Sequence, residues 1–180
     1  MIAVEPSPEM IGQLRLALPG VEAIEGAAER IPLPDGRVDI VTAGQAFHWF
    51  DPEFALPEIA RVLRPGGTLG LVWNLWNEEN AVVTALYDLL PPFCGSGQSK
   101  DAVVRSEFFG PLDEAAFDWI RAYGRQELVE RFGTQSSVAT LDPDECSERL
   151  DAVGRFWDEE STAGVLELPY RTSAYRATRL

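Results

Sequence analysis

Ile31-Pro32-Leu33-Pro34-Asp35-Gly36-Arg37-Val38-Asp39-Ile40-Val41-Thr42-Ala43-Gly44-Gln45-Ala46-Phe47-His48-Trp49-Phe50-Asp51-Pro52 is the stretch whose reading decides the fold. It opens as a proline-punctuated loop. Val38, Ile40 and Val41 then supply a buried strand, which Gly44 and Gln45 end. Phe47, His48, Trp49 and Phe50 crowd just beyond the strand's carboxyl end, where open α/β sheets bind their ligands. Asp51-Pro52 reads as a helix N-cap with proline at the first helical position. The only histidine of the chain and three aromatics fall within four consecutive residues.

Upstream, Ile2-Ala3-Val4 forms a short strand, with Glu5 at its carboxyl end and Pro6 stopping the ladder. Ser7-Pro8-Glu9 is a helix start: a capping serine, a first-turn proline and an acid near the positive dipole end. Met10, Ile11, Leu14, Ala17 and Leu18 give this helix one apolar face. Pro19-Gly20 ends it, and residues 21–25 alternate as the next strand. Downstream, the helix begun at Asp51 carries Phe54, Ile59, Val62 and Leu63 and stops at Arg64-Pro65-Gly66-Gly67. Residues 68–73 are a strongly apolar strand. This succession of strands and helices with short connections predicts an α/β fold, a mostly parallel sheet with helices on both faces.

The character changes after Asn74. Residues 77–80 cap a helix reaching Leu90, with Val83 and Leu86 on its apolar face. Pro91-Pro92 breaks it, and residues 94–98 are a glycine- and serine-rich loop. Residues 108–119 contain at most one strand, residues 125–132 read as helix, and residues 142–157 as a helix with Cys146, Leu150, Val153 and Trp157 on one face. Residues 165–168 and 170–177 read as a terminal strand or hairpin divided by Pro169. Residues 1–180 are therefore expected to form a single domain.

Composition excludes several classes. The net charge of −14 disfavours a phosphate backbone as partner, so no nucleic acid is expected. Arg171, Arg176 and Arg179 lie spaced along the terminal strand and read as solvated edge charges. No apolar run reaches the ~18–20 residues that cross a bilayer, and residues 1–6 lack the pattern of a secretory leader, so a cytoplasmic protein without membrane partner is expected. Cys94 and Cys146 are isolated and read as free thiols. One histidine and scattered carboxylates make no metal-ligand set.

Five segments occur in order: Ala3-Val4-Glu5-Pro6-Ser7-Pro8-Glu9-Met10, Ala28-Glu29-Arg30-Ile31-Pro32-Leu33-Pro34-Asp35, Val38-Asp39-Ile40-Val41-Thr42, Gln45-Ala46-Phe47-His48-Trp49-Phe50-Asp51 and Arg61-Val62-Leu63-Arg64-Pro65-Gly66-Gly67-Thr68-Leu69. Together they resemble the class I S-adenosylmethionine-dependent methyltransferases, nearest the type 11-like branch with a Gln-Ala-x-His-Trp-Phe signature. The resemblance implies a Rossmann-like methyltransferase fold, S-adenosylmethionine as cofactor and a small-molecule methyl acceptor. It covers residues 1–75 closely, which implies a partial cofactor-binding half there, and residues 76–180 loosely, which implies an acceptor-side half.

Glu5 carries only acceptor sites and can take both hydroxyls of a ribose, the role the resemblance implies, or stand as a solvated loop acid. Pro6 follows it at the same wall. Ala28 and Glu29 fall at the family's adenine-edge position, with Glu29 also readable as a surface charge. Gln45 and Ala46 fall beside the methionine end. Phe47, Trp49 and Phe50 can wall a pocket for a sulfonium by cation–π attraction, or pack as core under the following helix. His48 is open between a general base, a substrate contact and a helix-entry histidine bonded to backbone. Trp73 and Trp76, with Tyr87 and Phe93, can line an acceptor pocket, or lie in the core.

The family's glycine-rich turn, which follows its first strand upstream of an acid such as Glu5, has no counterpart in residues 1–180. Without that first strand, the strand at residues 2–4 and the strand at residues 40–43 are expected to face a gap or to pair directly. An oligomer or partner chain covering these edges is the associated expectation, as is impaired cofactor binding. The alternative function is a non-catalytic remnant that serves binding or assembly. A dinucleotide-binding reductase, which also places an acid after its second strand, fits the Ile-Pro-Leu-Pro and Gln-Ala-Phe-His-Trp stretches poorly.

Overall fold

The computed structural model describes residues 1–89 and 99–180. The chain divides into two compact units: Met1–Trp73 with Ser96–Ala115 and Ala174–Leu180, and Asn74–Gly95 with Ala116–Ser173. Leu90, Pro91, Pro92, Phe93 and the 94–98 loop lie outside the described residues.

In the first unit, β1 (Ile2–Glu5) leads to α1 (Pro8–Ala17) and β2 (Glu22–Glu25). The Ser7 side chain accepts the Met10 N–H at 3.3 Å, and Pro8 and Glu9 occupy the first turn. β1 and β2 pair in parallel, Ile2 opposite Glu22 and Glu5 opposite Glu25. The apolar face expected of α1 is only partly covered. Ile11 is buried and Leu14 half-buried, whereas Met10 and Leu18 are exposed. The reason is the size of the support: β1 and β2 form a sheet of two short strands, too narrow to cover the helix.

β3 (Val38–Gly44) runs parallel to β4 (Leu63–Trp76) in a second sheet ordered β3-β4-β6-β5, where β5 is Asp113–Tyr123 and β6 is Leu166–Thr178. β1 and β3 do not pair, so each keeps an edge without a strand beside it among the described residues. The expectation that β3 is buried fails at Ile40, which is 61% exposed. Neighbouring strands cover backbone edges, whereas a side chain is covered only by what packs on its face of the sheet, and the face that carries Ile40 is open there.

Between the strands lie a 3-10 turn at Phe47–Trp49 and α2 (Pro52–Val62). Asp51 caps α2 by accepting the Glu53 N–H at 3.0 Å. Ala55, Leu56, Ile59, Ala60 and Val62 make its buried face, while Phe54, expected there, is exposed. α2 ends at Val62, just before Arg64-Pro65-Gly66-Gly67, the segment expected to stop it, and that segment bulges from β4. Val38 pairs with Leu63 and Ile40 with Thr68, so four residues loop out opposite Asp39. Gly66 has φ +72°, and a Cβ on Gly67 would sit 2.8 Å from the Arg64 carbonyl oxygen, so both positions require glycine. α4 (Ser99–Arg105), absent from the sequence reading, completes this unit.

The second unit packs α3 (Ala81–Tyr87), α5 (Arg125–Gly133), α6 (Ser136–Ala139) and α7 (Pro143–Glu160) with the neighbouring parts of β4, β5 and β6. Asn80 caps α3 through the Val82 and Val83 N–H groups, and Asp142 caps α7 through those of Asp144 and Glu145. Its core gathers Trp76, Val83, Leu86, Tyr123, Leu128, Phe132, Val153 and Tyr170. The Tyr123 and Tyr170 hydroxyls meet at 2.6 Å inside it. The terminal segment is one strand, β6, rather than a hairpin, and it lies inside the sheet. Its arginines are therefore not edge charges. Arg171 pairs with Asp118 at 2.7 Å and Arg176 with Asp113 at 2.7 Å, both on β5, and Arg179 donates to the Leu63 carbonyl.

Candidate functional site

The first unit places the carboxyl ends of β1 and β3, the turn after β3 and the start of α2 among the family-like segments. Glu5 ends β1. Its Oε1 accepts the Ser7 N–H at 2.9 Å, and its carbonyl accepts the Gly26 N–H at 3.2 Å. The first bond orients the carboxylate and uses one of about four acceptor positions, so it retains capacity for a diol. Pro6 beside it is exposed. Gly26 lies so close that a Cβ there would stand 2.7 Å from Pro32 Cδ and 3.1 Å from Val4 Cγ1. A glycine is what lets the 26–30 loop run against β1.

Ala28 and Glu29 are half-buried in that loop. Glu29 Oε1 accepts the Asp51 N–H at 2.9 Å, so it ties the loop to the entry of α2. This bond accounts for Glu29 without a ligand. Gln45 stands in the left-handed region, φ +51°, with its N–H on the Val72 carbonyl at 2.9 Å. It is exposed, and Ala46 beside it is half-buried.

The four-residue aromatic cluster separates into different roles. Phe47 is 2% exposed and meets the half-buried Phe50 edge-on at 5.4 Å, so Phe47 is a core ring with Phe50 packed against it. Trp49 is 66% exposed and contacts His48 at 5.1 Å between ring centres. His48 is half-buried, and burial holds its imidazole below the ordinary histidine range. Its Nδ1 accepts the Trp73 indole N–H at 3.3 Å. Trp73 is 3% exposed and packs edge-on against Tyr175 at 5.7 Å.

Trp76 and Tyr87 belong to the second unit. Trp76 is enclosed in the second unit, stacked on Phe132 at 5.3 Å and edge-on to Tyr87 at 4.9 Å. Its ring is a core element there, because Val83, Leu86 and Tyr170 pack in the same cluster. Phe93 lies outside the described residues.

Sequence reasoning missed one clamp. Arg61 on α2 donates to the carbonyls of Ile31 at 3.0 Å and Leu33 at 2.8 Å, and pairs with Glu58 at 2.7 Å and Asp35 at 2.6 Å. Glu58 in turn accepts the Ile31 N–H at 2.8 Å. Arg61 holds the Glu58 carboxyl below the usual carboxylate range. The proline-spaced loop is thereby fixed to α2. The i, i+3 spacing of Glu58 and Arg61 was the available signal, but nothing local reveals that the far ends of both side chains reach a loop 26–30 residues earlier.

Among the described residues, no group of three or more His, Cys, Asp or Glu could hold a metal, and no helix is long and apolar enough to cross a membrane.

Residues 1–71 match the family described as methyltransferase domain. An uncharacterized methyltransferase of Mycobacterium tuberculosis is 38% identical over 181 residues, covering 99% of this chain and 74% of the relative. An uncharacterized methyltransferase-like protein of Schizosaccharomyces pombe is 33% identical over 189 residues, covering 99% of this chain and 73% of the relative. A solved structure assigned as a type II methyltransferase from Anaeromyxobacter dehalogenans superposes with a TM-score of 0.62 at 26% identity, covering 99% of this chain and 79% of that one.

Proposed function

The chain belongs to the class I S-adenosylmethionine-dependent methyltransferases, and from that premise we propose that its first unit carries a methyl-transfer site that uses S-adenosylmethionine and serves a small-molecule acceptor. The observation that carries this reading is Glu5: a carboxylate at the carboxyl end of a parallel strand, inside the family-matching segment, oriented by the Ser7 N–H with acceptor sites left over.

The donor set fits the adenosine half of the cofactor. Glu5 accepts the ribose hydroxyls, and Pro6 borders them. Ala28 and Glu29 line the adenine edge, on a loop that Gly26 allows to pass close to β1. Gln45 and Ala46 border the methionine end. Phe50, half-buried against the core ring Phe47, gives an aromatic face toward which a sulfonium is attracted. Trp49, exposed beside it, is the ring that would close over the sulfonium. Bound S-adenosylmethionine supplies an electrophilic methyl group, and transfer then depends chiefly on alignment of nucleophile, methyl and sulfur.

A second reading is a binding or assembly module. It is favoured by the edges of β1 and β3, which have no strand beside them among the described residues, and by the exposure of Ile40. Such edges recruit a further strand, from a partner chain or a second copy.

Titration calorimetry with S-adenosylmethionine separates the two. The methyl-transfer reading expects binding that Glu5→Gln weakens by about tenfold or more, the value of a hydrogen bond to a charged group. Equal affinity of the two proteins would overturn Glu5 as the ribose ligand. No binding at millimolar cofactor, together with a stable dimer, would favour the assembly module.

A further inference from the structure

β5 is the outermost strand of its sheet, and no strand lies beyond it among the described residues. Its residues 113–122 are all exposed. Long edges of this kind are ordinarily guarded by proline, lysine, a bulge or a covering loop. Asp113-Glu114-Ala115-Ala116-Phe117-Asp118-Trp119-Ile120-Arg121-Ala122-Tyr123 contains no proline, glycine or lysine. It holds three large apolar side chains in the open, Phe117 at 59%, Ile120 at 63% and Trp119 at 37% exposure. Trp119 is fixed there, stacked on Tyr170 at 4.6 Å with its indole N–H on the Thr172 hydroxyl at 2.9 Å. We propose that this edge pairs with β5 of a second copy of the chain, antiparallel about a two-fold axis, with Phe117 opposite Phe117.

Charge and size set the register. In an antiparallel pair, residues directly opposite share a face, where opposite charges attract and like charges repel. With the axis at Phe117, Asp113 of each copy faces Arg121 of the other, and the small Ala115 faces the Trp119 ring. On the other face Glu114 meets Ile120 and Ala116 meets Asp118, so no like charges meet. An axis at Ala116 would set Glu114 against Asp118. An axis at Asp118 would set that acid against itself. An axis at Trp119 would leave no pair of opposite charges. The second copy is therefore the occupant that this edge complements. Its charges have partners within the chain and keep capacity for another. Both Arg176 bonds to Asp113 fall on Oδ2, and Glu127 takes one N–H of Arg121 at 2.7 Å, whose guanidinium has five. Asp118 is held by Arg171 at 2.7 Å and Glu114 by Lys100 at 3.5 Å. The net charge of −14 on each chain repels at long range, but salt at ~0.15 M screens that repulsion beyond about 8 Å and leaves contact pairs in force. β1 and β3 take no part, so the pairing is independent of both readings above.

Pairing over residues 113–121 is a small contact of the transient class, so sedimentation equilibrium should show the dimer at about 200 µM chain in ~0.15 M salt. Phe117→Cys, in a chain with Cys94→Ser and Cys146→Ser, should oxidise to a disulfide-linked dimer, because opposed Cα atoms stand about 4.5–5.5 Å apart. Ala115→Cys in the same background should not, since its two copies fall about 13 Å apart. Arg121→Asp should weaken dimerisation about tenfold, and Asp113→Arg combined with Arg121→Asp should restore it to within about threefold. Both positions are exposed, so these variants fold. A monomer at that concentration, open-ended assembly in place of a dimer, or unchanged association of Arg121→Asp would each overturn the pairing. So would a double variant that fails to restore it, or equal cross-linking of Phe117→Cys and Ala115→Cys. A dimer that Phe117→Cys leaves uncross-linked would assign association to another surface, such as the edges of β1 and β3, and overturn it as well.

Discussion

Arg61→Met keeps most of the apolar stem and deletes the guanidinium that fastens residues 31–35 to α2. The loss can be built from its bonds. The pair with Glu58, whose side chain is 18% exposed, is a charge-assisted contact of roughly 2 kcal/mol. The bonds to the Ile31 and Leu33 carbonyls add about 1 kcal/mol each. Asp35 is 82% exposed, and its pair adds about 0.5 kcal/mol. Arg61 is itself 32% exposed, so solvent screening removes up to half of the sum. The expected destabilisation is about 2–3 kcal/mol, or ~5–10 °C in Tm for a chain of this length. Urea unfolding at neutral pH measures it. The pH dependence has a definite sign. Arg61 depresses the folded pKa of Glu58, so this stability is present above the carboxyl's unfolded pKa and is lost as pH falls through the folded one. The gap between the two proteins should therefore narrow in acid. A loss below ~0.5 kcal/mol at neutral pH, or a gap that does not change on acidification, would refute the clamp.

Three further outcomes follow from packing and burial. Gly26→Ala should cost about 1–3 kcal/mol, because its Cβ would meet Pro32 Cδ at 2.7 Å; Gly12→Ala, with open space around it in α1, should instead stabilise by ~0.5–1 kcal/mol, and paired urea melts compare them. Tyr123 is pushed well above the ordinary tyrosine range by burial and by its bond to Tyr170. Stability from its neutral phenol is thus complete below the unfolded pKa and lost as pH rises through the folded one. Absorbance titration should show Tyr123→Phe removing a tyrosine that ionises only with alkaline unfolding; normal ionisation of that residue in the folded chain would contradict this. Phe47→Ala should cost ~3–5 kcal/mol and Trp49→Ala under about 0.5 kcal/mol, since the first ring is buried and the second exposed; comparable losses in thermal melts would mean that the two rings share one environment.

Local chemistry was legible wherever a residue acts on its own neighbours. Ser7, Asp51, Asn80 and Asp142 cap the helices they were expected to start or precede, because capping is a bond over two or three residues. The strands at 2–5 and 38–44 were visible from apolar runs and their turn-rich borders. Burial was less legible, because it depends on what lies across from a residue. Met10, Leu18, Ile40 and Phe54 are apolar at the right spacing, yet each is exposed. Arg64–Gly67 carries the signs of a helix stop, and α2 does end at Val62, yet the segment is also an excursion within one strand whose pairing resumes at Thr68. Pro169 divides the pattern of the final segment without dividing β6.

The site followed the same rule. Glu5 stands at a strand end as its sequence context implied. The Arg61 clamp and the Trp73–His48 bond span 25–30 residues and could only be seen in three dimensions. The aromatic cluster next to His48 looked uniform in sequence, but Phe47 faces the core and Trp49 faces solvent, since a 3-10 turn rotates successive side chains by about a third of a turn.

The measurement that bears most directly on the central claim is the crystal structure of this chain grown with S-adenosylhomocysteine, the cofactor without its transferable methyl. The account predicts both ribose hydroxyls on the Glu5 carboxylate, with Oε1 still held by the Ser7 N–H, and the adenine beside Ala28. A nucleoside bound elsewhere, or a Glu5 carboxylate turned away from a ribose in this site, would contradict it.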